Sequence, residues 1–499
     1  MGCGSSKQTE VDNPNKIKDV AHFTISSHGM VAEKHGSIAR DYTLLKPPIG
    51  KGVFGEVRKA IHKVTNQVRA IKVISKVKAS KAEVERLRIE IEILKRLDHP
   101  NIIRIYEFYQ DIKNIYIVTE LCTGGELFDK IQDQQVFSER RAAGTMKQIL
   151  SAVNYLHKSK IVHRDLKPEN ILYESNKPQA LLKIVDFGAS RVFESGYKMN
   201  QKLGTPYYIA PEVLERRYDE KCDVWSCGVI LYILLCGFPP FNGETEEEIL
   251  QSVREDHFNF DGEQWSQISQ EAKLLITKML ERDPKRRISA EQAQRDQWIT
   301  TYVKKTEMNL TQLTEVLNNL RTFRVEKKFQ QAALTFMVNQ MATSQEKQEL
   351  LQQFQALDLN GDGRLSKEEL VIGYSKVMSY TDAELEVNKL MKYIDQDKNG
   401  SIDYSEFVLA TFNKVKLIED SRLEQAFRIF DKDGSGSISI DEIKGIFGCN
   451  DAAVSDEVWK ELLAEVDANG DGSISFQEFK EIIIKAIYTN SPEQRPKSD

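Results

Sequence analysis

His163-Arg164-Asp165-Leu166-Lys167-Pro168-Glu169-Asn170 decides how the rest of the chain is read. It sets a carboxylate, an amine and a carboxamide at fixed spacing between the apolar pairs Ile161-Val162 and Ile171-Leu172. Upstream stand Gly50-Lys51-Gly52-Val53-Phe54-Gly55-Glu56-Val57, then Ala70-Ile71-Lys72, then Glu90 on the amphipathic stretch Ala82–Leu97. Downstream come Asp186-Phe187-Gly188 and Ala210-Pro211-Glu212. A lone glycine motif is as readily a hairpin turn, and a lone Asp a solvated surface acid. Six such pieces in this order leave coincidence negligible.

The residue types suit phosphoryl transfer, which needs positioning and charge neutralisation more than covalent help. Glycines let backbone amides approach a triphosphate where a Cβ would obstruct. Lys72 offers a point charge for the α- and β-phosphates, and Glu90 aims it. Asp165 accepts or orients a hydroxyl proton, Lys167 reaches the γ-phosphate, and Asn170 with Asp186 holds Mg²⁺.

Residues 42–299 resemble the protein kinase fold, with a small β-rich lobe before a larger helical one. The resemblance implies an ATP site formed by Ile49, Gly50, Lys51, Gly52, Gly55, Val57, Ala70 and Lys72, and by a hinge at Val118–Cys122. In that hinge Thr119 is the gatekeeper, the Glu120 and Cys122 backbones meet adenine, and Glu126 contacts ribose. Lys167-Pro168-Glu169 and Gly204-Thr205-Pro206 are similar to serine/threonine rather than tyrosine kinases. Glu126 and Glu169 are acids that favour a basic residue before the target, or else plain surface carboxylates. The resemblance also implies a Glu212–Arg287 ion pair and an anchoring role for Asp223. One departure stands out: the usual phosphoacceptor position of the activation segment falls at Gln201, so another switch is expected.

That switch is legible further on. Asp358, Asp395, Asp431 and Asp467 each open a twelve-residue segment, at steps of 37, 36 and 36 residues. Such a period means one supersecondary unit used four times. Each segment matches the EF-hand loop, in which oxygens from positions 1, 3, 5, 7 and 12 hold Ca²⁺ and Gly at 6 makes the turn. The expected ligands are Asp358, Asn360, Asp362, Arg364 and Glu369; Asp395, Asp397, Asn399, Ser401 and Glu406; Asp431, Asp433, Ser435, Ser437 and Glu442; Asp467, Asn469, Asp471, Ser473 and Glu478. Position 7 acts through its backbone carbonyl. Position 8 is Leu365, Ile402, Ile438 or Ile474, suited to a β-bridge between paired loops.

Charge follows the same division. Ser344 to Asn490 holds 16 Lys and Arg against 29 Asp and Glu, a local charge of −13, whereas the whole chain carries −6. Between the modules, Met308–Val338 has no Gly or Pro and repeats apolar residues at helical spacing (Leu313, Val316, Leu317, Leu320, Phe323). Arg321, Arg324, Lys327 and Lys328 follow, so one long basic amphipathic helix is expected. The apolar run Val224–Phe241 is broken by Ser, Gly and Pro and reads as a buried helix rather than a membrane span. Six unpaired cysteines argue against a disulfide framework.

Kinase, basic junction and four EF-hands in this order resemble the calcium-dependent protein kinases of plants and protists. The expected architecture is an α+β bilobal protein kinase fold followed by an all-α calmodulin-like domain of four EF-hands. The boundaries are a flexible terminus 1–41, kinase 42–299, autoinhibitory junction 300–345, EF-hand domain 346–488 and tail 489–499. The resemblance implies that the junction suppresses the kinase, its basic residues lying in a cleft lined by Glu126, Glu169, Asp165 and Asp186, until Ca²⁺ relieves it. ATP, Mg²⁺ and Ca²⁺ are the expected cofactors, and protein Ser/Thr residues the substrates. The chain is expected to act as a monomer in the cytoplasm and without nucleic acid. Met1-Gly2-Cys3-Gly4-Ser5-Ser6 fits myristoylation at Gly2 with palmitoylation at Cys3, hence membrane association. The rival reading, an inactive kinase-like Ca²⁺-sensing scaffold, calls for loss of Lys72, Asp165, Asn170 or Asp186, and all four are present.

Overall fold

The computed structural model describes residues 31–52, 55–193, 199, 204–303, 310–323, 328–446 and 456–488. Gly2, Cys3, Gln201, Arg324 and Lys327 lie outside them, so the acylation motif and the activation-segment reading have no structural account. Among the described residues no helix is long and apolar enough to cross a membrane.

The first lobe is a twisted sheet with strand order Ala32–His35, Ile105–Gln110, Asn114–Thr119, Val68–Ser75, Gly55–His62, Tyr42–Leu44, and Gly50–Gly52 also pairs with Gly55–His62. Ala32–His35 runs parallel to its neighbour and the other pairings are antiparallel. This strand, with the short turn Ile38–Arg40, departs from the expectation of a flexible terminus over residues 1–41. Lys34 Nζ bonds Glu107 Oε1 at 2.7 Å, Asp41 Oδ2 at 3.0 Å and the Tyr109 hydroxyl at 3.0 Å. Two of those three partners are more than 70 residues away, beyond the reach of any local pattern.

The helix after this sheet begins at Lys81 behind a Ser80–Glu83 capping box and ends at Leu94, three residues before the expected Leu97. It buries Leu87, Ile91 and Leu94 as its spacing predicts, together with Glu90. The helical lobe is centred on Lys221–Cys236, buried along its whole apolar run and closed by Gly237 at φ +90°, a left-handed cap that suits glycine. The apolar run is thus a core helix as expected up to Cys236, with Gly237–Phe241 beyond its end.

The last module is four helix–loop–helix units. Leu365 pairs with Ile402 and Ile438 with Ile474 across two short antiparallel bridges. Its core also holds the junction, which differs from expectation. Instead of one helix there are two, Leu310–Thr322 and Lys328–Met341. The first buries Leu313, Val316, Leu317 and Leu320 against the helices of hands one and two. The second packs Phe329, Leu334 and Met337 into the same core and reaches the helices of hands two and four.

Candidate functional site

Strand register places the groups expected to face a nucleotide. Ala70 lies opposite Thr119, and Lys72 opposite both Ile117 and Val57, two residues along from the hinge. Gly50, Lys51 and Gly52 pair with Val57, Glu56 and Gly55, so the glycine motif is the hairpin roof of the cleft. Ile49 stays exposed above it. A Cβ on Gly55 would lie 1.9 Å from the Val73 carbonyl oxygen. This glycine is therefore required by the neighbouring strand itself, a reason the sequence reading assigned only to phosphate approach.

Lys72 Nζ meets Glu90 Oε1 at 3.3 Å. Partial desolvation opposes its charge, but Glu90 and Asp186 outweigh that and raise the amine above its ordinary value. The Asp186 backbone sits at φ +62°, and Gly188 N–H donates to its Oδ1 at 3.3 Å. Phe187 is buried edge-on to His163 with centroids 4.9 Å apart.

Below the cleft, Asn170 Nδ2 donates to the Asp165 carbonyl at 2.8 Å and to Asp165 Oδ2 at 3.1 Å. With both amide hydrogens spent, Oδ1 is left as the hard oxygen ligand that Mg²⁺ prefers. Lys167 Nζ lies 3.1 Å from Asp165 Oδ2 and donates to Thr205 Oγ1 at 2.9 Å, while Thr205 donates to Asp165 Oδ1 at 3.1 Å. Thr205 was read only as a marker of subtype. The Asp165–Lys167–Thr205 triangle could not be found from sequence, because nothing local links residues 38 and 40 positions apart.

The loop is held from behind. Asp223 accepts from the His163 and Arg164 amides at 2.9 and 2.8 Å and meets His157 Nε2 at 3.0 Å. Arg287 clasps Glu212 through both terminal guanidinium nitrogens, at 2.5 and 3.0 Å. Both arrangements match the expected architecture. The Glu120 side chain pairs with Lys183 at 2.9 Å, and burial pushes the Cys122 thiol up to about 12. The Glu126 carboxyl is raised by burial, by Asp129 and by Glu169, while Glu169 Oε2 is enclosed with no hydrogen-bond partner among the described residues. The two acids form one electronegative patch.

All four EF-hand loops share one wiring. The position-6 amide donates to Oδ2 of position 1, at 2.9 Å for Gly363–Asp358, 3.0 Å for Gly400–Asp395, and 2.9 Å for both Gly436–Asp431 and Gly472–Asp467. Glu369, Glu406, Glu442 and Glu478 each accept backbone amides on both carboxylate oxygens. The position-6 glycines all have φ between +79° and +87°, where an L side chain is strained. In hands two and three, one oxygen from each of Asp395, Asp397, Glu406 and of Asp431, Asp433, Glu442 lies within 4.8 Å of the others. Burial, Asp362 and Glu369 push Asp358 up to about 8, and Glu406 is raised well above its ordinary value by burial and Asp403. Crowded carboxylates of this kind fit a bound dication.

The expected meeting of Arg321 with the cleft acids is not made in this conformation. Arg321 is exposed on the first junction helix and makes no ion pair with Glu126, Asp165, Glu169 or Asp186. Burial of that helix's apolar face in the EF-hand core turns its charged face to solvent.

Comparison with known proteins fits this geometry. A protein kinase domain is matched over residues 44–299, and an EF-hand domain pair over 347–411 and again over 420–484. Calcium-dependent protein kinase 4 of Plasmodium falciparum (isolate 3D7) is 47% identical over 417 residues, covering 81% of this chain and 79% of the relative. Calcium-dependent protein kinase 3 of Plasmodium berghei is 40% identical, covering 83% and 74%.

Proposed function

The chain belongs to the calcium-dependent protein kinase family, and from that premise we propose that Ca²⁺ bound by its own EF-hands switches on transfer of the ATP γ-phosphate to protein Ser or Thr. Lys72, held by Glu90, sets a positive charge at the α- and β-phosphates. Asp165 orients the substrate hydroxyl and takes its proton, while Lys167 steadies the γ-phosphate. Magnesium between Asn170 and Asp186 would neutralise charge on the phosphates. The patch formed by Glu126 and Glu169 favours a basic residue before the target, since the unpartnered Glu169 oxygen gains a cation there.

Without Ca²⁺, the basic junction lies in the acid-lined cleft; with Ca²⁺, the EF-hands hold it away. What supports this reading is the seating of both junction helices in the EF-hand core, the arrangement expected once the junction has been captured. Ca²⁺ would supply the carboxylate neutralisation that closes each loop and opens the apolar groove. Gly2 and Cys3 support acyl attachment to a membrane as a further part of the proposal. Phosphorylation of a basic Ser/Thr peptide, measured with and without free Ca²⁺, tests the switch. Equal rates in the two conditions overturn it. The inactive-scaffold reading is not favoured, because Lys72, Glu90, Asp165, Asn170 and Asp186 are all present and assembled.

A further inference from the structure

The first two EF-hand loops touch the kinase, and apart from Asp362, itself an expected ligand, they do so through residues outside the expected ligand set. The Gly361 carbonyl, at loop position 4, accepts from Ser151 Oγ at 2.8 Å and from Gln294 Nε2 at 2.6 Å. At position 5, Asp362 Oδ2 meets Lys158 Nζ at 2.5 Å, while Oδ1 takes the Arg364 amide at 3.0 Å. Position 6 leaves no room for a side chain, since a Cβ on Gly363 would lie 2.1 Å from His99 Cδ2. In hand two, Asp98 sits at the start of helix Tyr404–Thr411, accepting from the Ser405 amide at 2.6 Å and from Ser405 Oγ at 2.9 Å. Asp98 and Ser405 are both buried there.

These contacts depend on loop shape. Gly361 and Gly363 stand at φ +69° and +79°, and it is this winding that turns the Gly361 carbonyl outward and the ligand oxygens inward. Helix Tyr404–Thr411 carries Glu406, the bidentate ligand of hand two, one residue after the amide that Asp98 holds. A carboxylate at a helix N-terminus is stabilising, so Asp98 favours the helix position that also delivers Glu406. A loop that unwinds loses its kinase partners, and a loop that is held stays wound.

We propose that the calcium loops of hands one and two are themselves the clamp onto the kinase, anchored by Asp98, Ser151 and Gln294, so that calcium binding and docking strengthen each other. Coupling of this kind is reciprocal: if calcium tightens docking, docking tightens calcium by the same factor. The inference deepens the calcium-switch reading and rests on it for its biological meaning, but its test does not depend on catalysis.

The experiment titrates the full chain with Ca²⁺ against a competing chelator, comparing the unmodified protein with Asp98→Ala, Ser405→Ala and the double variant. Charge-assisted hydrogen bonds of this strength predict Ca²⁺ affinity at the first pair weakened on the order of tenfold in Asp98→Ala. The double variant should lose less than the sum of the two singles, because both remove one contact. Ser151→Ala, a lighter change, should weaken affinity in the same direction and covers the case in which Asp98→Ala fails to fold. Unchanged Ca²⁺ affinity in folded Asp98→Ala, or in Ser151→Ala if only that variant folds, overturns the clamp. Unmodified protein whose peptide phosphorylation ignores Ca²⁺ overturns the switch reading instead, and the binding titration still decides the clamp.

Discussion

Asp186 and Arg164 are non-glycine residues with φ of +62° and +70°, a region sparsely populated except by Asn, Asp and Gly. Strained backbone of this kind persists where the surroundings over-determine it, and here Asp223, Phe187 and Glu90 do so. Asp186→Asn keeps a side chain that tolerates this conformation, so the fold should survive while the metal carboxylate is lost. Phosphoryl transfer is expected to fall at least on the order of 10²-fold, with an unchanged circular dichroism spectrum; full activity with the same Mg²⁺ dependence would refute the assignment. Arg287→Ala addresses stability instead. It strands the buried Glu212 carboxylate, at a cost of about 3–5 kcal/mol, and should appear as a lowered first thermal transition. Asp186 was legible in sequence through its motif, and the Glu212–Arg287 pair through the family resemblance. The Asp165–Lys167–Thr205 bonding was not, since only the fold brings Thr205 back across the loop.

The junction helices show how far periodicity carries at the scale of the element. The i, i+3, i+4 spacing identified the buried face of Leu310–Thr322 correctly, because that face is a property of the helix alone. It could not say what the face would meet, nor that a second helix would start at Lys328. Leu320 is fully buried in the EF-hand core, so Leu320→Ala should cost about 2–5 kcal/mol of junction docking. On the switch reading, a junction that is poorly captured remains in the cleft. The Ca²⁺ needed for half-maximal phosphorylation should therefore rise severalfold in Leu320→Ala; an unchanged midpoint would show that capture of this helix does not control the kinase.

For the whole molecule, the four hands share a loop pattern but differ in their ligands and in their position. Hands one and two face the kinase through Gly361, Asp362 and Ser405. Single changes of Glu369, Glu406, Glu442 or Glu478 to Gln remove one bidentate ligand each. A ligand shifts a switch only by its differential affinity for the two states, so Glu369→Gln and Glu406→Gln should raise the activating Ca²⁺ more than the other two. Each should also weaken its bridged neighbour, as read by Ca²⁺ titration of the four variants, and four identical activation curves would refute this ranking. By itself the sequence determined two modules, the motif residues proposed to handle phosphate, the four loops and the apolar stripe between them. Each of these is written in spacing over a few dozen residues, where local geometry alone fixes which side chains share a face or a loop. Tertiary structure decided that Ala32–His35 joins the first sheet, that the junction divides into two helices inside the EF-hand core, and that calcium loops rest on Asp98 and Ser151. Those outcomes depend on packing and hydrogen bonds between residues up to 307 positions apart, for which a linear pattern carries no register.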